Sequence, residues 1–456
     1  MKWYKPLVLL VGGAMSLALA GCGTSAETPP QDATQTSSAP ADNPTTDTAS
    51  TGATSLSMWT FVELHGKFYE AMAEKWNEKN PDKQVKIEVN VMPYDDMHNK
   101  LQLALNSGQG VPDIVDIEVS KFANFTAGTP ALEDLTAVAA PYASTIVKAR
   151  MDLYSKDGKQ YGLPTHVGTT LAFYNTELLD AAGVDYTTIK TWDDFKAAGQ
   201  KYNAATGKAF STADTSALWQ ENLLLGQVGS DWMTTDGKLQ VNNDKVAQAL
   251  GVIKDLQDAK VMSTIAGGQP DTEEAYGEIN SGNYAVTIMP EWFMSRYTAY
   301  IPDLKGKIAI ASPPALANSV SGTVGGGGTG TAIPSAGSNV ELAKEYLAYA
   351  KLSVEGAVMI WDSLGFDPCN MSVWADQAVT HNPDNEFNQY FKNNVFDVLN
   401  TMKDTIGYLP STTMQGMPNI NNMFTTTTLN EIFENGTDIQ KALDQAQADL
   451  KNELGQ

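Results

Sequence analysis

The chain has 456 residues, and its 53 Asp and Glu residues outnumber its 30 Lys and Arg residues, which gives a formal charge of −23. Nucleic acids and anionic membrane surfaces attract basic proteins, so this charge argues against both as partners. The length predicts two or three domains, or one large domain with two lobes. Two cysteines are too few for a disulfide framework.

The N-terminus has the layout of a secretory signal. Lys2 and Lys5 precede an apolar run over residues 7–20, which is too short for a lasting transmembrane helix. The run ends in Leu19-Ala20-Gly21-Cys22, which resembles the lipobox of bacterial lipoproteins. That resemblance implies removal of residues 1–21 as a signal peptide and a diacylglyceryl group on Cys22. The alternative interpretation is a buried N-terminal helix with an incidental cysteine.

A low-complexity segment follows the cysteine. Residues 23–55 contain no Lys, no Arg and no aromatic residue, and Thr, Ser, Ala, Pro and Asp dominate. Such a segment cannot bury enough apolar surface to offset the entropy lost on ordering it. We therefore predict that residues 22–55 form a flexible tether between the lipidated cysteine and a globular part.

Strand and helix patterns alternate at the start of the globular part. A short apolar run at residues 55–61 predicts a strand, and the helix pattern after it places Phe68, Met72 and Trp76 on one face. Alternation over residues 85–91 predicts a second strand, a helix pattern begins at Tyr94, and residues 112–117 predict a third strand. This order predicts an α/β layer with a mainly parallel sheet, in which ligands bind beyond the carboxyl ends of the strands.

Further elements follow down the chain. Residues 171–175 and 283–289 predict strands, Thr191 is a suitable N-cap for a helix, and residues 246–256 carry a long amphipathic pattern. Residues 325–334 form a glycine-rich approach to a strand, and the part from Trp361 onward is mostly helical in pattern.

Short motifs occur in a fixed order along the chain; they are residues 110–115, 158–164, 174–175, 191–195, 281–286, 326–327 and 417–420. Together, behind a lipobox, they resemble the extracellular solute-binding lipoproteins of carbohydrate ABC importers, over about residues 56–456. Residues 59–65 and 92–100 are similar to the lipoproteins that capture arabinose or arabino-oligosaccharides in Gram-positive bacteria.

The resemblance implies a two-lobed, periplasmic-binding-protein-like (type II) α/β fold, with a hinge and a ligand cleft between the lobes. Lobe one would comprise residues 56–165 and 326–405, and lobe two residues 166–322 and 408–456. The lobes would close on the ligand by a hinge motion.

The same resemblance implies a function. The protein would be the substrate-binding lipoprotein of an ABC transporter, which captures a sugar or oligosaccharide and delivers it to the transmembrane subunits of a permease. It would be a monomer without enzymatic activity or cofactor. Its lipid would anchor it to the cell membrane, facing the extracellular side.

Candidate ligand-binding residues follow from the chemistry of sugars. Carboxylates and amides bond to sugar hydroxyls, and aromatic rings stack on the C–H face of the sugar ring. Glu63 and His65 follow the first predicted strand, Glu118 ends the third, and His166 lies at a predicted crossing between the lobes. The structural alternatives are a helix-terminal acid for Glu63 and a solvated or internally satisfied imidazole for each histidine.

The family resemblance adds further candidates. It places an aromatic platform after the strand at residues 283–289, which makes Trp292 the expected stacking residue, with Glu291 beside it. A weaker correspondence adds Trp219 and Glu221. Gly326 and Gly327 would let the backbone approach the ligand closely, the alternative being hinge geometry alone.

Several catalytic and metal signatures are absent from the sequence. A G-x-G-x-x-G spacing at residues 325–330 precedes a strand pattern rather than a helix, and no G-K-[ST] follows it. The four histidines lie far apart and there is no cysteine pair, so no metal site is expected. There is no G-x-S-x-G motif. Cys369 is expected to be a buried free thiol.

Two alternatives from other classes remain open at this point. A secreted glycoside hydrolase would need two carboxylates roughly 5–10 Å apart, for example Glu63 and Glu118. A receptor of the same fold for another solute, such as a polyamine or a metal ion, would also suit the acidic charge. The mixture of Trp, Glu and amide candidates favours a sugar.

Overall fold

The structure is a computed structural model that describes residues 52–456. The predicted signal peptide, Cys22 and residues 22–51 of the predicted tether lie outside the described residues. The strands are β1 (Thr54–Thr60), β2 (Val85–Val91), β3 (Ile114–Glu118), β4 (Ser155–Lys156), β5 (Lys159–Gln160), β6 (Leu163–Pro164), β7 (Thr170–Asn175), β8 (Ser211–Ala213), β9 (Met262–Thr264), β10 (Val286–Pro290), β11 (Ile308–Ala311), β12 (Thr323–Val324), β13 (Thr329–Ala332) and β14 (Ile406–Gly407).

The α-helices alternate with these strands in the first two thirds of the described chain and dominate the last third. They are α1 (Glu63–Lys79), α2 (Tyr94–Ser107), α3 (Val119–Thr126), α4 (Thr136–Ala139), α5 (Lys148–Asp152), α6 (Thr176–Ala181), α7 (Trp192–Thr206), α8 (Trp219–Val228), α9 (Asp244–Asp258), α10 (Glu273–Asn280), α11 (Met294–Tyr300), α12 (Val340–Leu352), α13 (Val354–Met359), α14 (Gln377–Thr380), α15 (Glu386–Tyr390), α16 (Val395–Met402), α17 (Met417–Met423), α18 (Leu429–Phe433) and α19 (Ile439–Leu454).

Two five-stranded sheets organise the molecule. The first has the order β2-β1-β3-β13-β6, and the second β11-β7-β10-β8-β9. In the first sheet β2, β1 and β3 are parallel, while β13 runs antiparallel to both β3 and β6. The predicted α/β fold is confirmed. We call the part built on the first sheet lobe one and the part built on the second sheet lobe two.

Burial explains the strand and helix patterns. In β1, Leu56 and Met58 are fully buried, and in α1 Phe68, Met72 and Trp76 form the buried face. All six residues of β7 are buried, as expected for a strand with strands on both sides and helices over its faces. At α7, Thr191 forms the predicted N-cap. Its side chain accepts a hydrogen bond from the backbone N–H of Asp194, and the Asp194 carboxylate accepts one from the backbone N–H of Thr191.

Two predicted boundaries need correction. The predicted tether reached Ser55, but β1 begins at Thr54. Thr54 and Val85 form the first residue pair of the parallel β1–β2 ladder, so the backbone is already part of the sheet at this point. The range assigned to lobe one extended to residue 405. The backbone N–H of Lys392, however, donates to Ile308 O in β11, so the chain at residue 392 pairs with lobe two.

Three connections join the two sheets. One runs from β6 to β7 through residues 165–169, one from β11 through β12 to β13, and one passes through β14. The second and third pair with each other, since β12 and β14 form a short parallel ladder. The carboxyl ends of β1 and β3 and the segments that follow β8 and β10 lie near these connections, around one cavity.

Candidate ligand-binding cleft

A cavity of about 530 Å³ lies between the two lobes. Its lobe-one wall follows the carboxyl ends of β1 and β3, and its lobe-two wall follows β8 and β10. The C-terminal segment after β14 closes one side. The residues that matter for its chemistry are Phe61, His65, Tyr94, Glu118, His166, Ser216, Trp219, Asn222, Gln269, Asp271, Trp292, Arg296, Phe366, Thr412, Met417 and Asn421.

A buried carboxylate holds His65 in place on the lobe-one wall. Asp116 is fully buried, and its Oδ2 accepts from Thr60 Oγ1 at 2.9 Å and contacts His65 Nδ1 at 3.1 Å. Its Oδ1 accepts from Tyr69 OH at 3.0 Å and from Thr331 Oγ1 at 2.7 Å. Burial acts to raise the pKa of Asp116, but the hydrogen bond from His65 and the positive charge of Lys351 hold this pKa below its usual range. With Nδ1 turned to this carboxylate, Nε2 is the ring nitrogen left for a ligand.

The second lobe-one group is Glu118, which is also the N-cap of α3. Its Oε2 accepts from the N–H of Ser120 at 2.8 Å, from Tyr94 OH at 3.1 Å, and from the Ser120 hydroxyl. Burial raises the pKa of this carboxyl. Because these bonds all go to Oε2, the other carboxyl oxygen remains for a ligand in the cavity.

His98 supports Glu118 from behind. Its Nε2 accepts from the backbone N–H of Glu118 at 3.1 Å, so the proton lies on Nδ1, which donates to Tyr94 O at 2.7 Å. Burial lowers the pKa of His98 to about 4, and the imidazole is therefore neutral at neutral pH. A single neutral tautomer satisfies both bonds.

The lobe-two wall is aromatic. Trp219 and Trp292 meet edge to face, with their ring centroids 5.3 Å apart. Trp219 is partly exposed, and its Nε1 donates to Gln269 Oε1 at 3.0 Å. Trp292 is only 8% exposed and donates to Gly326 O at 3.0 Å, while the Arg296 guanidinium lies 5.3 Å from its ring. Trp219 is therefore the ring with more face available for stacking.

The charged residues of the lobe-two wall neutralise each other. Arg296 Nε donates to Asp271 Oδ1 at 2.9 Å, and the Tyr276 hydroxyl donates to the same oxygen. Arg296 thus serves as the partner of an acid and covers one side of Trp292, which leaves this wall without net charge.

His166 lies at the first connection between the lobes and borders the cavity. It is 4% exposed and packs on Phe366, with ring centroids 4.6 Å apart. Among the described residues neither of its ring nitrogens has a hydrogen-bond partner. Burial, with the positive charge of Arg150, lowers its pKa well below the usual value. The imidazole is neutral, and both of its ring nitrogens are buried at the border of the cavity.

Six of the ten predicted ligand residues line the cavity, and their contacts with a ligand remain predictions: His65, Glu118, His166, Trp219, Trp292 and Gly327. Glu63 does not line it. Its side chain is 73% exposed and pairs with Lys67 at 2.8 Å. The prediction for Glu63 is corrected because α1 begins at this residue, and a position two residues before His65 on a helix faces roughly the opposite way.

The predictions for Glu221, Glu291 and Gly326 are also corrected. Both acids are fully buried and absent from the cavity wall. Glu291 Oε2 accepts from the N–H of Asp367 at 3.0 Å, and burial raises the pKa of both glutamates well above the usual value. Gly326 supports the site indirectly, through its carbonyl bond to Trp292. Trp292, next to Glu291 in the turn after β10, and Trp219, two residues before Glu221 in α8, line the cavity in place of these acids.

Sequence reasoning missed the groups that come from the far C-terminus. Thr412, Met417 and Asn421 lie on the segment that returns after β14 and reach the cavity beside Asn222. The one available signal was the motif at residues 417–420, which carried no assigned role. Tyr94 was known only as the start of a helix.

Within residues 52–456 no helix has the length and apolar character needed to cross a membrane. The same part of the chain contains no group of three or more His, Cys, Asp or Glu side chains placed to hold a metal ion.

Two lobes around one cavity define a binding protein of the two-lobed type II class. The sugar-binding protein MalE from Xanthomonas citri shares this fold, with a TM-score of 0.74 over 88% of this chain and 98% of that chain, at 16% identity. The family described as Bacterial extracellular solute-binding protein matches residues 63–353, and the chain belongs to that family.

Two relatives are more similar in sequence. The Arabinooligosaccharide-binding protein of Bacillus subtilis (strain 168) is 43% identical over 358 residues, which cover 78% of this chain and 82% of that protein. A protein of the same name from Halalkalibacterium halodurans is 38% identical over 407 residues, which cover 89% of this chain and 91% of that protein.

Proposed function

We propose that this chain is the substrate-binding protein of an ABC importer, and that it captures arabino-oligosaccharides between its lobes and delivers them to a membrane permease. Two relatives named for arabino-oligosaccharide binding, at 43% and 38% identity over most of the chain, support this ligand class.

The observation that carries the proposal is the contrast between the cavity walls. Lobe one presents His65 and Glu118, each with one polar atom bonded inside the protein and another left toward the cavity. Lobe two presents the partly exposed ring of Trp219. A sugar needs both, because its hydroxyls bond to the first wall and its C–H face packs on the second. A ligand that contacts both lobes also favours the closed arrangement.

The arrangement supports binding without catalysis. Glycoside hydrolysis needs two carboxyl groups that flank the scissile bond. The acids that line the cavity are Glu118, which caps α3, and Asp271, which is paired with Arg296 and Tyr276. Each acid thus has one oxygen held by partners within the protein, an arrangement that a binding role explains without a catalytic step.

We further propose that the protein is a monomeric lipoprotein on the extracellular side of the cell membrane, with its lipid on Cys22. The lipobox-like sequence at residues 19–22 supports this anchor. Labelling cells with a palmitate analogue should tag the parent and not Cys22→Ala. Equal labelling of both proteins would contradict the anchor.

The function is tested with purified protein and a series from arabinobiose to arabinohexaose, with maltotriose as a control sugar. A ligand at 100 times its Kd should stabilise the protein by about 2.7 kcal/mol, which appears as a higher Tm. Calorimetry then ranks the chain lengths, and chromatography of the incubated sugars looks for cleavage. The absence of a shift for the whole series would contradict the ligand class, and accumulating products would contradict a binding role.

A further inference from the structure

The glycine-rich run at residues 325–328 connects β12 to β13 and is packed tightly on its lobe-one side by Arg150 of α5. A Cβ added to Gly325 would lie 2.6 Å from Val167 O and 3.1 Å from Arg150 Nη1, and one added to Gly328, whose φ is +109°, would lie 2.5 Å from Arg150 Nη2. The guanidinium therefore packs against both glycines, and together with the Val167 carbonyl and the positive φ of Gly328 it leaves no room for a side chain at either position.

The opposite side of the same run faces lobe two. A Cβ on Gly326 would lie 2.8 Å from Pro290 Cγ, and one on Gly327 would lie 3.2 Å from Trp292 Nε1 and 3.6 Å from the Trp219 ring. The run is thus held between an arginine of lobe one and the two tryptophans of the cavity.

Hydrogen bonds reinforce this packing at two successive carbonyls. Arg150 Nη2 donates to Gly327 O at 2.6 Å, and Trp292 Nε1 donates to Gly326 O at 3.0 Å. The indole and the guanidinium are therefore bonded to two adjacent peptide units, which meet at Gly327. A shift of the run would move the Trp292 ring with it.

Arg150 is buried in surroundings that lower the stability of the fold, which is unexpected for a residue with only a structural role. The side chain is 2% exposed, its Nε has no partner, and the ion pairs found among residues 52–456 do not include it, although the charge of the buried Asp367 acts on it from beyond ion-pair distance. A buried charge without a paired carboxylate lowers stability, and a well-packed apolar residue is often more favourable. The planar fork of an arginine, however, presents two nitrogens at fixed spacing to one backbone segment, which lysine cannot do.

We propose that Arg150 is a positioning residue for ligand binding, which holds residues 325–328 so that Trp292 and Trp219 keep their places in the cavity wall. It acts through the run, because it does not itself line the cavity. That Arg150 holds the run in place rests on the geometry alone. That this affects the affinity for an oligosaccharide rests also on the proposed function.

The mechanism is tested first without any sugar, by hydrogen–deuterium exchange of the ligand-free protein. Arg150→Met and Arg150→Lys should both exchange faster in peptides that cover residues 323–332, with lobe-two peptides around α9 unchanged. Lys148→Met is the matched control, because Lys148 lies on the same helix with its side chain 83% exposed. If the methionine variant does not fold, the lysine variant decides. Parental exchange over residues 323–332 in a folded variant would overturn the proposal.

The consequence is tested by calorimetry with arabinotriose. Arg150→Lys should raise the Kd about tenfold or more, because the tryptophan wall is no longer pre-organised. Ile253→Val, which removes a methyl group from the distant α9 core, controls for a loss of stability alone and should leave the Kd unchanged. Parental affinity in Arg150→Lys would overturn the proposal. If the parent itself fails to bind arabinotriose, the proposed ligand is wrong, and the exchange experiment still decides the role of Arg150.

Discussion

The two walls of the cavity are built in different ways. On the lobe-one wall, Asp116 and Glu118 of one strand bond to several neighbours, and these bonds fix His65 and the Glu118 carboxyl in single orientations. On the lobe-two wall, two tryptophans pack on each other and each is tied by a single N–H bond. Lobe one thus fixes the direction of polar contacts, and lobe two supplies apolar surface.

The difference follows from the secondary structure behind each wall. The carboxyl ends of β1 and β3 are adjacent in a parallel pair, so side chains from both ends reach one another. In lobe two, a short turn starts directly after β10, and α8 starts after the loop that follows β8; each projects a tryptophan from its first residues. The polar wall should therefore respond to changes in hydrogen bonding, and the aromatic wall to changes in surface area.

The largest effect is expected from Asp116→Asn. The amide NH2 replaces one carboxylate oxygen and leaves two of the four buried donors around this position without an acceptor, and we expect the free energy of unfolding to fall by about 3 kcal/mol. Chemical denaturation measures it. Asp95→Asn, at an acid whose side chain is 75% exposed, should change stability little. A loss below about 1 kcal/mol in Asp116→Asn would show that the lobe-one network is not the rigid wall described above.

The next effect is expected from Trp219→Ala, which removes the most accessible aromatic face. We expect arabinotriose binding to weaken by about 1–2 kcal/mol, with the fold retained. Trp219→Phe keeps a ring and should recover part of the loss, and Trp292→Phe should have a smaller effect because that ring is 8% exposed. Calorimetry compares the three variants. A greater loss in Trp292→Phe than in Trp219→Ala would reverse the assignment of the stacking face.

A smaller effect concerns pH and tests the support behind Glu118. Burial lowers the pKa of His98 from 6.5 to about 4 in the folded protein. Between these two values the unfolded chain binds a proton that the folded protein does not, so the free energy of unfolding falls as the pH falls from about 6.5 to about 4. His98→Gln keeps an acceptor for the Glu118 N–H and does not titrate.

The measurement is the unfolding free energy of parent and His98→Gln at half-unit steps of pH. The parent should show the steeper dependence in this window, by at most about one proton, and the two slopes should agree above pH 7. Parallel curves throughout would mean that the His98 imidazole is not kept neutral by burial.

The smallest effect is expected from Glu63→Gln. Its side chain is 73% exposed and paired only with Lys67, an arrangement that contributes little. Arabinotriose affinity should stay within about twofold of the parent, whereas Glu118→Gln should weaken it clearly. If Glu63→Gln weakened binding as much as Glu118→Gln, Glu63 would have to face the ligand after all.

Much of the fold was predictable because hydrophobic periodicity is a local signal. The alternation at residues 85–91 and the spacing of Phe68, Met72 and Trp76 reflect burial by direct neighbours, and β2 and α1 lie where these patterns indicate. The antiparallel placement of β13 beside β3 was not predictable from them, because it depends on pairing between residues about 215 positions apart.

The site was predictable only at the level of which loops matter. The loops after β1, β3, β8 and β10 all reach the cavity, but not every polar residue of these loops lines it. Glu63 and His65, or Glu291 and Trp292, differ in direction by a rotation that no composition or spacing reveals. The exact starts of α1 and of the turn after β10 decide it.

The sequence by itself determined that this chain has a lipobox-like N-terminus, alternating strands and helices of an α/β fold, and motifs that resemble a solute-binding family, because these properties depend on local order along the chain; the two lobes were implied by that resemblance. Only the tertiary structure decided which acids are buried, which tryptophan is accessible, and that Arg150 and residues 412–421 belong to the surroundings of the cavity. Those properties depend on contacts between segments far apart in sequence, where burial and hydrogen bonding are settled by the neighbours that folding brings together.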